Sequence, residues 1–264
     1  MVFPDQLPYG EEICACTVSS LYSLYRYDPQ IALFWEICDN NGMTVAYISL
    51  FNASVQIVKI SEDFSQYEET AEFLELVCGG ASIEGSAETI KNISVYLRSD
   101  FTLSTHEVST IALPIFPSPI DEMVTKEIKL NDMYLMLCGC FKGFGSRGER
   151  GVWMTDVSAR MRKLGGVMYG IYSNGTLVSG CGIYSSYKRF SLISAVGSLP
   201  GFRSKGYAGA VVRHAAFDVF WSGGIPLICS YDEHTAGFYK SLGFECFSEY
   251  SILKPSEPTQ KQGR

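Results

Sequence analysis

Apolar and polar positions repeat along this chain with two periods, near two and near 3.6 residues, and the changes of period outline its elements. Ile193 to Leu199 is an apolar run of strand character, and Ser191 to Leu199 reads as that strand. Further on, Ala208, Val211, Val212, Ala215 and Val219 recur at helical spacing, so residues 205–222 read as a helix. Pro200, Gly201 and the segment Arg203-Ser-Lys-Gly206-Tyr-Ala208 turn the chain between the two. Downstream, Pro226 to Tyr231 reads as a buried strand, 232–242 as a short helix and Phe244 to Leu253 as a closing strand. Upstream, Asn131 to Phe141 reads as a helix, 141–151 as a glycine-rich loop, and Thr155 or Asp156 as the cap of a helix that Gly165-Gly166 ends. Strands at Val167–Tyr172 and Leu177–Ser185 follow, joined by Ser173-Asn-Gly-Thr176, a strong hairpin signal.

The first half has a similar rhythm. Residues 11–27 read as a helix that Asp28-Pro29 ends. Ile31–Cys38 and Met43–Phe51 are strand-like, with Asp39-Asn-Asn-Gly42 as the turn between them, and Ser54–Ile60 is a third strand. Ser65–Cys78 is an acidic helix stopped by Gly79-Gly80, Ser86–Asn92 a short helix, and Ile93–Leu97 and Val108–Leu113 strands. This order echoes the second half without its basic, glycine-bearing turn: Ser-Glu-Asp-Phe follows the strand at 54–60. A degenerate copy of the same architecture and an unrelated α+β domain both fit. Pro114-Ile-Phe-Pro117-Ser-Pro119 is the stiffest connector. It divides the chain into 1–116 and 117–253, with a disordered tail at 254–264.

The turn before the helix at 205–222 is where chemistry is expected. The first N–H groups of a helix lack intrahelical partners, and the helix dipole places partial positive charge there. A strand, a glycine turn and a helix start together make a phosphate cradle. Gly206 admits close approach of a ligand, and Arg203 and Lys205 add charge. Other glycine motifs fail on inspection. Gly201 to Gly206 is followed by Tyr207 where a P-loop needs Lys, and Gly143-Phe-Gly145-Ser-Arg-Gly148 follows a helix where a dinucleotide fold needs a strand.

Arg203-x-x-Gly206-x-Ala208 after an apolar strand resembles the acyl-CoA signature of the GNAT superfamily of N-acyltransferases. Asp232-Glu-His-Thr-Ala-Gly-Phe-Tyr239-Lys-Ser-Leu-Gly243-Phe244 resembles that family's late helix, and the gap between the two matches suits one helix and one strand. The likeness spans about 121–253. It implies an α/β (mixed α+β) fold: a central mixed, mostly antiparallel sheet flanked by helices, preceded by the smaller α+β domain. It implies acetyl-CoA as acyl donor, held by Phe202, Arg203, Ser204, Lys205, Gly206, Tyr207 and Ala208. The pantetheine arm would lie along Val196, Ser198 and Leu199, whose backbone could also meet an oxyanion. Tyr239 would protonate the departing thiolate. Asp232 stands where the family often has a cofactor-orienting asparagine. The glutamate base that many relatives carry on the central strand is missing from Phe190–Leu199, leaving Glu233, His234 and Asp156 as candidates for a relay through water. The implied activity is N-acetylation of a primary amine on a small molecule or peptide. A non-catalytic acyl-CoA-binding or scaffold protein is the alternative.

Composition narrows this further. A net charge of −7 disfavours a nucleic-acid partner, which needs a concentrated basic surface, but not CoA, which needs one local cationic site. Nine cysteines, an odd number with two Cys-x-Cys pairs and three scattered histidines, read as reduced thiols with no metal site. The acidic, proline-broken start and the lack of an 18-residue apolar run lead to the expectation of a cytoplasmic protein without a membrane span. Oligomerisation is left open.

Overall fold

The structure, a computed structural model, describes residues 1–113, 119–145 and 149–256. In chain order the first elements are α1 (Glu12–Tyr25), β1 (Ala32–Cys38), β2 (Thr44–Phe51), β3 (Ser54–Lys59), α2 (Tyr67–Val77), β4 (Ser82–Ser86), α3 (Ala87–Ser94) and β5 (Phe101–Thr110). After a 3-10 turn at Pro119–Met123 come α4 (Leu130–Cys140), α5 (Glu149–Leu164), β6 (Val167–Ser173), β7 (Thr176–Tyr187) and β8 (Phe190–Ser198). A second 3-10 turn, Pro200–Phe202, leads to α6 (Tyr207–Trp221), β9 (Ile225–Ser230), α7 (Glu233–Ser241) and β10 (Glu245–Pro255). Two compact units result: Met1–His106 with Ser248–Arg264, and Glu107–Phe247.

In the first unit the strand order is β1-β2-β3-β4-β10-β5. β1, β2 and β3 form an antiparallel meander, and β3 and β4 are parallel. The turn into β2 is fixed by Asp39, whose Oδ1 accepts the N–H groups of Asn41 and Met43, and by Gly42 at φ +78°. Ile48, Val55, Ile57, Leu74, Ile83, Ile90 and Ile93 are fully buried together. Each such side chain contributes roughly 1.5–3 kcal/mol of burial free energy.

The second unit repeats the succession: antiparallel β6, β7 and β8, then α6, then β9 parallel to β8, then α7. Asn174 (φ +49°) and Gly175 (φ +76°) form the two-residue turn between β6 and β7. α6 lies on one face of this sheet through Ala210, Val211, Val212, Ala215 and Ala216. α4 lies on the other, over a row of glycines, Gly170, Gly180 and Gly197, paired across β6, β7 and β8. A Cβ on Gly180 would stand 3.1 Å from Met133 Cε, and one on Gly197 would stand 2.9 Å from Cys140 Sγ, so the row sets how closely α4 approaches.

In each unit a strand distant in sequence completes the sheet. Tyr250–Leu253 of β10 pair antiparallel with Ile83–Ser86 of β4, while Glu107–Thr110 of β5 pair antiparallel with Leu227–Ser230 of β9. The division therefore falls inside β5, at 106/107, and not at the proline connector, most of which (114–118) lies outside the described residues. Backbone pairing of Glu107–Thr110 with β9 binds this stretch to the second unit before the prolines are reached. For the same reason the tail begins later than expected: Lys254 and Pro255 lie in β10, and 257–264 are outside the described residues.

Three local expectations are corrected. Ile93 belongs to α3, not to a strand at 93–97, because its buried side chain continues the helical stripe of Ile90. The strand expected at 108–113 is β5, which runs from Phe101 to Thr110; past Phe101 and Leu103 its outer part, Ser-Thr-His-Glu, is polar and carries no apolar alternation. Thr155 and Asp156 lie within α5 and do not cap it, since the helix already begins at Glu149.

Candidate active site

The start of α6 has the features the sequence suggested. Gly206 occupies the N-cap position at φ +80°, where a side chain is strained, and no side chain caps this helix end. The first intrahelical bond runs from Ala210 N–H to Gly206 O, leaving the N–H groups of Tyr207, Ala208 and Gly209 without intrahelical acceptors. Ser204 is also left-handed, at φ +58°. Gly201 and Arg203 to Gly206 are solvent-exposed, so the bend is open to a ligand. Phe202 and Tyr207 stack with centroids 6.5 Å apart, and Lys205 Nζ lies 4.8 Å from the Phe202 ring centroid.

Behind the turn, beyond Ile193, one edge of β8 is free of strand pairing among the described residues. Its parallel register with β9 ends at Ile193–Ile228, while its register with β7 continues to Ser179–Ser198. Two β8 residues, Ala195 and Val196, stand opposite Cys181 alone, forming a β-bulge with Ala195 at φ +54°. Leu199 N–H donates to Val178 O (2.9 Å), and Gly197 O accepts from Ser179 Oγ (2.9 Å), so both face β7. By alternation, the main-chain groups of Val196 and Ser198 face the divergent edge. In agreement, Arg203 Nε donates to Ser198 O at 3.3 Å. The Leu199 amide is thus engaged in the sheet and is not free to meet an oxyanion.

Tyr239 lies on α7, nearly buried, between Phe238 and Phe244. It packs in one cluster with Cys181 and Val196, the residues of the bulge. Its hydroxyl makes no hydrogen bond among the described residues. Burial raises its pKa above the ordinary phenol value, with Cys181, Cys229 and Asp232 pushing the same way. The phenol is therefore fully protonated at neutral pH, a donor and not a base. Cys229 is the first β9 residue past the paired stretch, so the phenol is sensed from both sides of the divergence.

Asp232 is the N-cap of α7: its Oδ1 accepts Thr235 N–H at 2.6 Å, and that bond lowers its pKa below the usual carboxylate value. This local duty explains an aspartate there. Asp156 Oδ2 accepts Arg160 Nε at 2.8 Å, and Arg160, itself buried, donates to Ser185 Oγ at 2.6 Å. Asp156 therefore orients an arginine under the sheet, while Glu233 and His234 are exposed on α7. The glycine-rich loop packs back through Phe144 on Tyr134 and Trp153; residues 146–148 lie outside the described residues. Sequence reasoning missed one supporting pair. Asp121, buried, takes two bonds from Arg213 Nη2 (3.0 and 3.2 Å), tying the 3-10 turn at Pro119–Met123 to α6. Neighbouring Ile120 comes within 3.2 Å of where a Gly206 Cβ would stand. A distant aspartate and arginine carry no spacing signal that would have linked them.

Among the described residues no cluster of three or more His, Cys, Asp or Glu could hold a metal ion, and no helix is long and apolar enough to cross a membrane. No family model matches the chain, and no curated protein sequence does. Solved structures do. Over 97% of its length the chain is similar to 98% of a GCN5-related N-acetyltransferase from Kribbella flavida, with 12% identity and a TM-score of 0.61. It is similar over 93% of its length to 94% of a tandem GNAT protein from the clavulanic acid biosynthesis pathway, with 9% identity and a TM-score of 0.55. A GCN5-related N-acetyltransferase from Sphaerobacter thermophilus is matched over 97% of this chain and 98% of its own, at 14% identity and a TM-score of 0.51. Identities this low speak to architecture and not to chemistry, and on architecture they agree with the topology: the chain has the fold of the GNAT superfamily.

Proposed function

We propose that the second unit transfers an acyl group, acetyl in the first instance, from an acyl-CoA thioester to a primary amine of a small molecule or peptide. One observation carries this reading. An exposed, glycine-capped helix start follows a strand whose edge beyond Ile193 is unpaired among the described residues, and a buried phenol with no hydrogen bond among those residues stands near that strand's bulge.

The thioester supplies an activated carbonyl. Tyr207, Ala208 and Gly209 offer N–H groups to a diphosphate, with Arg203 and Lys205 contributing charge. Val196 and Ser198 present main-chain groups to an extended amide-bearing arm, as an added strand would require. In this reading the Val196 N–H donates to the negative charge that develops on the carbonyl oxygen as the amine nitrogen attacks. When the carbon–sulfur bond breaks, Tyr239 donates its proton to the thiolate. The proton lost by the amine passes to water, because Asp156 is committed to Arg160 and β8 carries no carboxylate.

The test is CoA release by the purified protein across a panel of amines. Tyr239→Phe lowers kcat and leaves acyl-CoA affinity nearly unchanged, and Gly206→Glu abolishes cofactor binding; unaltered kinetics in both variants reject the site. The missing carboxylate on β8 favours one other reading, an acyl-CoA-binding protein without turnover. Calorimetric binding of acetyl-CoA with no CoA released from any amine would select it.

A further inference from the structure

The first unit carries the same β-β-β-helix-β-helix succession as the second, and its counterpart of the cofactor cleft can be located by topology. β3 and β4 are parallel, as β8 and β9 are, and their register ends at Gln56–Glu84. Beyond that point β3 continues to Lys59 without pairing to β4. Ser86 caps α3 by accepting Thr89 N–H, as Asp232 caps α7 by accepting Thr235 N–H.

Glu11 fills this divergence. It is fully buried at the start of α1, and its carboxylate reaches both sides. Oε2 accepts the Lys59 N–H at 3.0 Å, on β3 past its last β4 pair. Oε1 accepts Ser86 Oγ at 2.5 Å and Thr89 Oγ1 at 3.0 Å, at the end of β4 and the first turn of α3. The surroundings agree. The position seven residues after the cap, Tyr239 in the second unit, is the buried Ile93 in the first. The residue before α2, in the place of Gly206, is Gln66 at φ −78°. The intervening turn carries Glu62 and Asp63, and Lys59 Nζ is held by Glu62 (3.2 Å) and Glu88 (3.3 Å).

We infer that the acyl-CoA cleft of the first unit is closed by the protein's own Glu11 carboxylate, which bonds the strand edge a pantetheine amide would occupy, so that the chain binds a single acyl-CoA, in the second unit. The stoichiometry rests on the function proposed above; the closure itself rests on the Glu11 contacts alone. The charge acting on Glu11 is Lys59 on β3, itself held by Glu62 and by Glu88 of α3; Glu11 in turn acts on Cys14 of α1, which Glu84 of β4 and Cys16 and Glu12 of α1 also face. Burial outweighs the bonds and the Lys59 charge and raises the Glu11 pKa to about 7.

Two measurements on the full chain test this. Equilibrium dialysis with labelled acetyl-CoA gives one equivalent bound by the wild type and none by Gly206→Glu. Two equivalents, or one retained in Gly206→Glu, overturn the inference, whereas no binding by the wild type overturns only the proposed function. The second measurement needs no ligand. Between pH 4.5 and 7.5 the wild-type thermal midpoint falls relative to that of Glu11→Gln, which keeps the bonds without the ionisation. Parallel profiles for the two proteins show that Glu11 is not sealed in the cleft and overturn the closure.

Discussion

Replacing Glu11 by Gln gives the most quantitative check on the first unit. Its carboxyl group, with an ordinary value of 4.5, is raised to about 7 by burial. A raised carboxyl pKa means that the folded state binds the proton more tightly than the unfolded chain does. The group's contribution is then intact below about pH 4.5, declines as the pH rises, and is fully lost above about pH 7. From 4.5 to about 7, at about 1.4 kcal/mol per pH unit, the loss is about 3 kcal/mol, a large part of the stability of a typical domain. A glutamine accepts the Lys59 N–H through its oxygen and sets its NH2 against Ser86 Oγ and Thr89 Oγ1, which turn from donors to acceptors, and it has nothing to ionise. Urea unfolding at pH 4.5, 6 and 8 should show wild type and Glu11→Gln close together at the lowest pH. At pH 8 the variant should be the more stable by up to about 3 kcal/mol. Other titrating groups cancel in the difference. A difference that stays constant from pH 4.5 to 8 would refute the argument, because it would mean that Glu11 ionises with its ordinary pKa and is hydrated.

The other expectations concern the second unit. Tyr239→Phe should reduce kcat about 100-fold with little change in thermal midpoint, since the hydroxyl makes no hydrogen bond among the described residues. Asp121→Ala leaves Arg213 without its bidentate partner and should cost about 3–5 kcal/mol in chemical denaturation; a loss under 1 kcal/mol would show that the pair does not anchor α6. A fragment beginning at residue 117 lacks Glu107–Thr110 and exposes the edge of β9 at Leu227–Ser230, so it should aggregate; a monomeric, folded fragment by light scattering and circular dichroism would contradict the pairing.

Much of the second unit was legible from local signals. The Asn174-Gly175 turn, the apolar periodicity of α6 and the glycine before it each act over a few residues, and each formed as read. Strands with polar composition were not legible: β4 (Ser-Ile-Glu-Gly-Ser) and the outer part of β5 owe their conformation to partners far away in sequence. The turn from Arg203 to Ala208 was read from local signals, and residues 203–206 are exposed, while the duty of Asp232 as a helix cap became plain only from its bond to Thr235.

Where periodicity and turn residues coincide, the sequence alone is enough to set which segments are helix or strand, and it puts a glycine at the start of α6. Only the tertiary structure decided that β8 and β9 part at Ile193–Ile228, that Tyr239 packs beside the bulge so formed, and that Glu11 occupies the matching gap in the first unit. Helix caps and hairpin turns are set by backbone geometry within a few residues. The filling of the first unit's gap depends instead on Glu11 meeting Lys59 and Ser86, 48 and 75 residues away in sequence, and no local pattern records that meeting.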